Sequence, residues 1–178
     1  KELLGENPGN NMNNPRQTLD ILRQGDYATQ YAEAAANGWA DKCAFLFYDE
    51  PTTESNLSIA VGEADKLQSK FPSRKIVTPL HADWLYVDGK NAIEYLSVGS
   101  TLHCVKTAIY HDAIQETCER LRDERGDIIL WYTCGDQPAG TIDLLTCVPG
   151  NHMRVLFWQQ YLYDVDGFLY YDTNEWHG

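Results

Sequence analysis

The sequence has no apolar run near the roughly 18 residues that a membrane span needs, and no basic-then-apolar leader opens it. A soluble protein with no membrane partner is expected. The first residue is Lys1 rather than Met, so both a secreted or periplasmic protein whose leader has been removed and a cytoplasmic one stay open. Basic residues are scarce, 14 against 26 acidic ones, for a net charge of −12. That sign repels phosphate backbones and argues against nucleic acid as a partner. No glycine-rich phosphate loop follows any expected strand, which disfavours a doubly wound nucleotide-binding protein. The five cysteines, Cys43, Cys104, Cys118, Cys134 and Cys147, are odd in number and show no CxxC or Cys/His zinc spacing. They read mostly as buried thiols, which pack as small apolar residues, with a disulfide between two of them left open. His81, His111 and His152 share no ligand spacing, so neither a metal nor a cofactor is implied.

What is present suits one buried core: 178 residues, 43% apolar and 12% aromatic. Residues 1–15 are rich in Asn, Gly and Pro and form an irregular opening segment ahead of a domain over 16–178. From Arg16 to about Trp39 the apolar spacing predicts a helix closed by Gly38. The run CAFLFY at 43–48 then predicts a strand buried on both faces. Further units alternate: a helix at 54–70, a strand at 75–80, a less regular region, and a strand at 103–110. A helix at 112–125, a strand at 127–133, a helix at 151–163 and a strand at 167–172 follow. This alternation predicts an α/β fold with about five parallel strands, since parallel strands need crossover connections. Five strands are too few for a closed eight-stranded barrel, so the chain is either an open sheet or the later part of a barrel.

In parallel α/β folds chemistry collects where strands end. The first strong strand runs into Asp49, Glu50 and Pro51. Adjacent carboxylates there suit acid catalysis, because burial and a like-charged neighbour favour the protonated form of one. The competing reading is a helix start, since acidic and hydroxyl residues cap and Pro fits the first turn. Aromatic residues gather at the other strand ends, where they suit the C–H faces of a sugar or serve as ordinary core. Lys106 within a strand wants a carboxylate if it faces an interior. His103 reads as structural, and the run RLRDERGD as a solvated helix end.

Three stretches together, GWADKCAFLFYDEP at 38–51, DIILWYTCGDQP at 127–138 and MRVLFWQQYLYDVDGFLYYDTNEW at 153–176, resemble the catalytic domain of glycoside hydrolase family 123, the β-N-acetylgalactosaminidases, and its uncharacterised relatives. The resemblance covers most of residues 16–178. It implies a TIM-type (β/α)8 barrel of which this chain holds the C-terminal part, with earlier strands missing or supplied by self-association or another segment. It also implies a carbohydrate partner with a terminal N-acetylated sugar, hydrolysed with substrate assistance. Glu50 would be the general acid and base, and Asp49 would hold and polarise the 2-acetamido group. Trp131 and Tyr132 would form the acetamide pocket, and Tyr171, Asn174 and Trp176 its wall and floor. The family's last strand commonly reads Tyr-Trp where this chain has Tyr170 and Tyr171. The alternative is a truncated or inactive glycan-binding module of the same fold.

Overall fold

A computed structural model describes residues 20–22, 27–46, 48–72, 75–134, 142 and 149–170. The chain begins with β1 (Asp20–Leu22), α1 (Tyr27–Ala36), β2 (Cys43–Leu46), α2 (Glu54–Lys70), β3 (Lys75–Val77) and β4 (Pro79–Leu80). A hairpin of β5 (Tyr86–Val87) and β6 (Lys90–Asn91) leads into the short helix α3 (Ala92–Leu96). Then come β7 (Leu102–Lys106), α4 (Asp112–Arg125), β8 (Ile128–Thr133), α5 (His152–Leu162) and β9 (Gly167–Tyr170). The α/β class with parallel strands is as expected. Among the described residues no helix is long and apolar enough to cross a membrane.

Parallel pairs run β1 to β2, β2 to β3, β4 to β7, β7 to β8 and β8 to β9. β3 and β4 are the two halves of the strand expected at 75–80, parted at Thr78. Pro79 has no N–H to give a ladder, so a change of partner at this point is the arrangement a proline tolerates. The first half pairs with β2 and the second with β7. The parallel strands thus form a three-stranded sheet, β1-β2-β3, and a four-stranded one, β4-β7-β8-β9, and in each the strand order follows chain order.

Helix ends are set by local chemistry. α1 stops at Gly38, whose φ of +75° places it in the left-handed region. The N–H of Gly38 donates to the Ala35 carbonyl at 3.1 Å and that of Trp39 to Ala34 at 3.0 Å, a Schellman closure. α2 starts at Thr53, whose hydroxyl oxygen accepts from the Asn56 N–H at 3.2 Å, a cap worth about 1 kcal/mol.

Alternation along the strands sorts side chains onto two faces. Phe45, Ile76, Leu80, Val105, Ile129 and Trp131 pack with Ala34 of α1, Leu57 and Ala60 of α2, Ile114 and Cys118 of α4, and Leu156 of α5. The opposite face gathers Ala44, Val77, Leu102, Cys104, Leu130 and Tyr132, all from strands, in a second apolar cluster. Among the described residues the helices thus cover one face only.

Four expectations need correction. The helix predicted from Arg16 gives way to β1 at Asp20–Leu22, with helix only from Tyr27; pairing of Asp20, Ile21 and Leu22 with Cys43, Ala44 and Phe45 overrides a helical composition. The strand predicted to Tyr110 ends at Lys106 and continues as a 3-10 turn over Thr107–Ile109. The irregular stretch after Leu80 contains the hairpin, turned on Asp88 (φ +50°) and Gly89 (φ +77°), a pair that matches the type I′ turn. Asp127, read as part of a solvated helix end, is buried. It meets Nε2 of buried His103 through Oδ2 at 2.7 Å and Nε of Arg125 through Oδ1 at 3.3 Å.

Candidate active site

The end of β2 delivers Asp49 and Glu50 to the rim. Thr53 caps α2, so the acidic pair is not the cap that the competing reading made it. Glu50 takes φ +48°, a left-handed conformation that costs a non-glycine residue on the order of 1–3 kcal/mol and concentrates at functional sites. Its N–H donates to the Pro79 carbonyl at 3.2 Å, and Pro51 behind it is buried. The turn is held from both sides, so the strained backbone aims the carboxyl group back over the strand-only face.

There the Tyr132 hydroxyl, from the end of β8, donates to Glu50 Oε1. Nδ1 of His81, just past β4, lies 3.1 Å from Glu50 Oε2, though its angle falls short of a hydrogen bond. Glu50 keeps about a third of its side chain in solvent (33%), which leaves room for a ligand. Burial, first, and then the hydrogen bond to Glu50 and its charge push the Tyr132 phenol far above its ordinary range. Tyr132 is therefore a permanent proton donor to Glu50 at any physiological pH.

Asp49 is exposed beside Glu50. The thiol of Cys104, on the strand-only face beneath, is pushed well up by burial above all and then by Asp49, Cys118 and Glu50. Lys106 is opposite Tyr132 in the β7–β8 register and is buried (5%), so a cation is on the tyrosine's face of the sheet.

Two further strand ends approach from one side. The rings of His81 and Trp84 are 5.9 Å apart, edge to face. His111, after β7, has Nδ1 3.0 Å from Asp112 Oδ2 and Nε2 4.0 Å from Asp83 Oδ2. Among the described residues no group of three or more His, Cys, Asp and Glu side chains could hold a metal ion. A carboxyl group fixed by a phenol on one oxygen and faced by an imidazole on the other can give and take a proton beside a bound ligand.

Residues 32–178 match the family described as glycoside hydrolase 123, catalytic domain. The chain belongs to this family. Its reaction is glycoside hydrolysis and its substrate a carbohydrate. Among curated proteins none matches the chain.

Within this glycoside hydrolase 123 domain, Glu50 and Tyr132 come together from elements far apart in sequence, with Asp49 next to them. Trp131 does not join them, which corrects its expected place in a pocket. It points to the helix-covered face, 3% exposed, with its ring 5.8 Å from that of Tyr110 and 6.3 Å from that of Tyr163. Neighbours in a strand face opposite ways, so Trp131 and Tyr132 cannot both line one pocket. Tyr171, Asn174 and Trp176 lie outside the described residues. Sequence reasoning missed the contact of His81 with Glu50; its only signal was that His81 also follows a buried strand.

Proposed function

We propose that this glycoside hydrolase cleaves a terminal β-linked N-acetylhexosamine, with N-acetylgalactosamine preferred, by substrate assistance. Glu50 is the general acid and base, and Asp49 accepts a hydrogen bond from the N–H of the 2-acetamido group. The observation that carries the reading is the Tyr132–Glu50–His81 cluster on a strained strand end beside Asp49. Oε1 of Glu50 is committed to the Tyr132 phenol, so Oε2 carries the proton.

In the first step Oε2 protonates the glycosidic oxygen while the acetamide carbonyl oxygen attacks the anomeric carbon. The bond to the aglycone breaks, and Asp49 stabilises the positive charge that grows on the amide. In the second step the Glu50 carboxylate takes a proton from water. That water attacks the anomeric carbon from the departed side, and the acetamide is released. Two inversions at one carbon give retention of configuration. Tyr171, Asn174 and Trp176 are proposed for the wall and floor of the sugar site, and Trp131 is not.

The sheet supports a barrel setting. Strand order that follows chain order, with helices on one face and a strand-only cluster on the other, suits a segment of a TIM-type barrel. A doubly wound sheet would reverse its order and carry helices on both faces. Closure then takes further strands, from a second copy or another segment.

The test is hydrolysis of nitrophenyl 2-acetamido-2-deoxy-β-galactoside by the wild type and by Glu50→Gln. Loss of an acid typically costs about 10²–10⁴-fold, less with a good leaving group, and azide should restore part of the variant's rate. Sugar binding without turnover by the wild type would instead favour a glycan-binding module.

A further inference from the structure

Trp84 is 62% exposed and Tyr86 is 50% exposed, whereas Leu85 and Val87 between and after them are buried. Trp84 lies in the turn Ala82–Leu85 and Tyr86 in the hairpin strand that follows it, so the two exposed rings sit on one short stretch of chain. The segment is well held. Ala82 at its start is fully buried, the Leu85 N–H donates to the Ala82 carbonyl at 3.4 Å, and Tyr86 and Val87 pair with Asn91 and Lys90. Two large aromatic faces are thus presented to solvent on a backbone whose other side is core, so little freedom remains to be lost when something stacks on them.

Their position relative to the acid is asymmetric. Glu50 Oε1 is bound to Tyr132 on the strand-only face. Oε2 faces His81 at 3.1 Å, and the His81 ring is the one that Trp84 touches edge to face. A general acid stands between the sugar that it releases and the group that leaves. With the Tyr132 side taking the first, the His81 and Trp84 side takes the second. Asp83, next to Trp84 in the chain, faces Nε2 of His111 at 4.0 Å, and His111 Nδ1 is 3.0 Å from Asp112 Oδ2, so acceptors and donors for hydroxyl groups follow on from Trp84. Those carboxylates, in a chain of net charge −12, repel an anionic group.

We infer that Trp84, with Tyr86 beyond it, is a stacking platform for the leaving group, and that this group is a neutral sugar. Flat rings suit the C–H face of a pyranose, and the flanking polar groups suit its equatorial hydroxyls. The inference rests on the reading of Glu50 as the acid, and the experiment separates the two.

The kcat/KM of the wild type, Trp84→Ala and Trp84→Phe is measured on two substrates that share the N-acetylated sugar. One is the glycosyl fluoride, which has no aglycone to stack; the other is a disaccharide with a neutral hexose as aglycone. Trp84→Ala should lose about tenfold more on the disaccharide than on the fluoride, mainly in KM, and Trp84→Phe should recover part of it. Equal losses on both substrates, or none, overturn the platform. A glycoside with an alkyl chain as aglycone that suffers the same selective loss overturns the choice of a sugar. Should the wild type cleave neither substrate, the hydrolase reading fails by itself. Calorimetric titration of a neutral hexose oligosaccharide then decides the platform: binding weakened in Trp84→Ala supports it, and unchanged or absent binding overturns it.

Discussion

Tyr132 donates its phenolic hydrogen to Glu50 across 82 positions of chain. The two strands that bring them together, β8 and β2, belong to the four-stranded and the three-stranded sheet, so the bond links the two sheets instead of neighbouring strands. It is the contact through which the fold orients the proposed acid.

Tyr132→Phe removes only the donor. A hydrogen bond to a charged group is worth about 1.5–3 kcal/mol, so kcat/KM should fall roughly 10- to 150-fold with the circular dichroism spectrum preserved. A variant as active as the wild type would show that the phenol does not position Glu50.

Trp131→Ala, one residue earlier, should do the reverse. Its ring is in the helix-side core with Tyr110 and Tyr163, so truncation should cost about 3–5 kcal/mol of stability. A urea titration would read this as a lower midpoint, and Trp131→Phe, which keeps a ring in the core, should restore most of it. A pocket role would appear as lost activity at unchanged stability.

Asp49→Asn tests substrate assistance. The variant should lose about 10²-fold or more on the 2-acetamido substrate, yet the corresponding 2-hydroxy sugar, which has no acetamide to orient, should be a very poor substrate for both proteins. Equal cleavage of the two sugars by the wild type would remove the mechanism while leaving a hydrolase.

Asp127→Ala breaks a buried pair on the helix-covered side of β7 and β8, since His103 and Asp127 are both almost fully buried. Removing one member of such a pair costs about 3–5 kcal/mol. The melting temperature should drop while KM of the remaining folded enzyme stays at the wild-type value. A change in KM would tie this cluster to the site.

The buried thiols give a pH dependence. Burial, and secondarily Glu119, push the Cys118 thiol up from 9.0 to about 12, with Arg122 opposing. The folded state therefore holds a proton that the unfolded chain releases, so the stabilisation is complete below about pH 9 and disappears as pH climbs through 12. Unfolding midpoints should decline over that window, and less steeply in Cys118→Ala. At pH 8 a thiol reagent should spare Cys43, Cys104 and Cys118 until denaturant is added, because all three are buried.

The acidic pair was legible because a continuous apolar strand breaks off into Asp49 and Glu50, and strand ends are where parallel sheets do chemistry. α2 and α4 were legible because the composition turns helical over about 54–70 and 112–125. The hairpin was not read, although Asp88-Gly89 carries its turn signal, because its two strands are only two residues each. β1 was not, since three residues inside a helix-like stretch become a strand only by pairing with β2.

The order of strands and helices and the placing of two carboxylates at a strand end are local properties, carried by hydrophobic period, turn residues and caps, and these the sequence determined by itself. Which way each side chain points from a strand buried on both faces is not local: with apolar or aromatic residues at every position of IILWY, no period distinguishes the two phases. Only packing of α4 and α5 on one side chose Trp131 for the core and turned Tyr132 toward Glu50. The same packing brought His81 to the carboxyl group's other oxygen, a contact between strands that no spacing along the chain encodes.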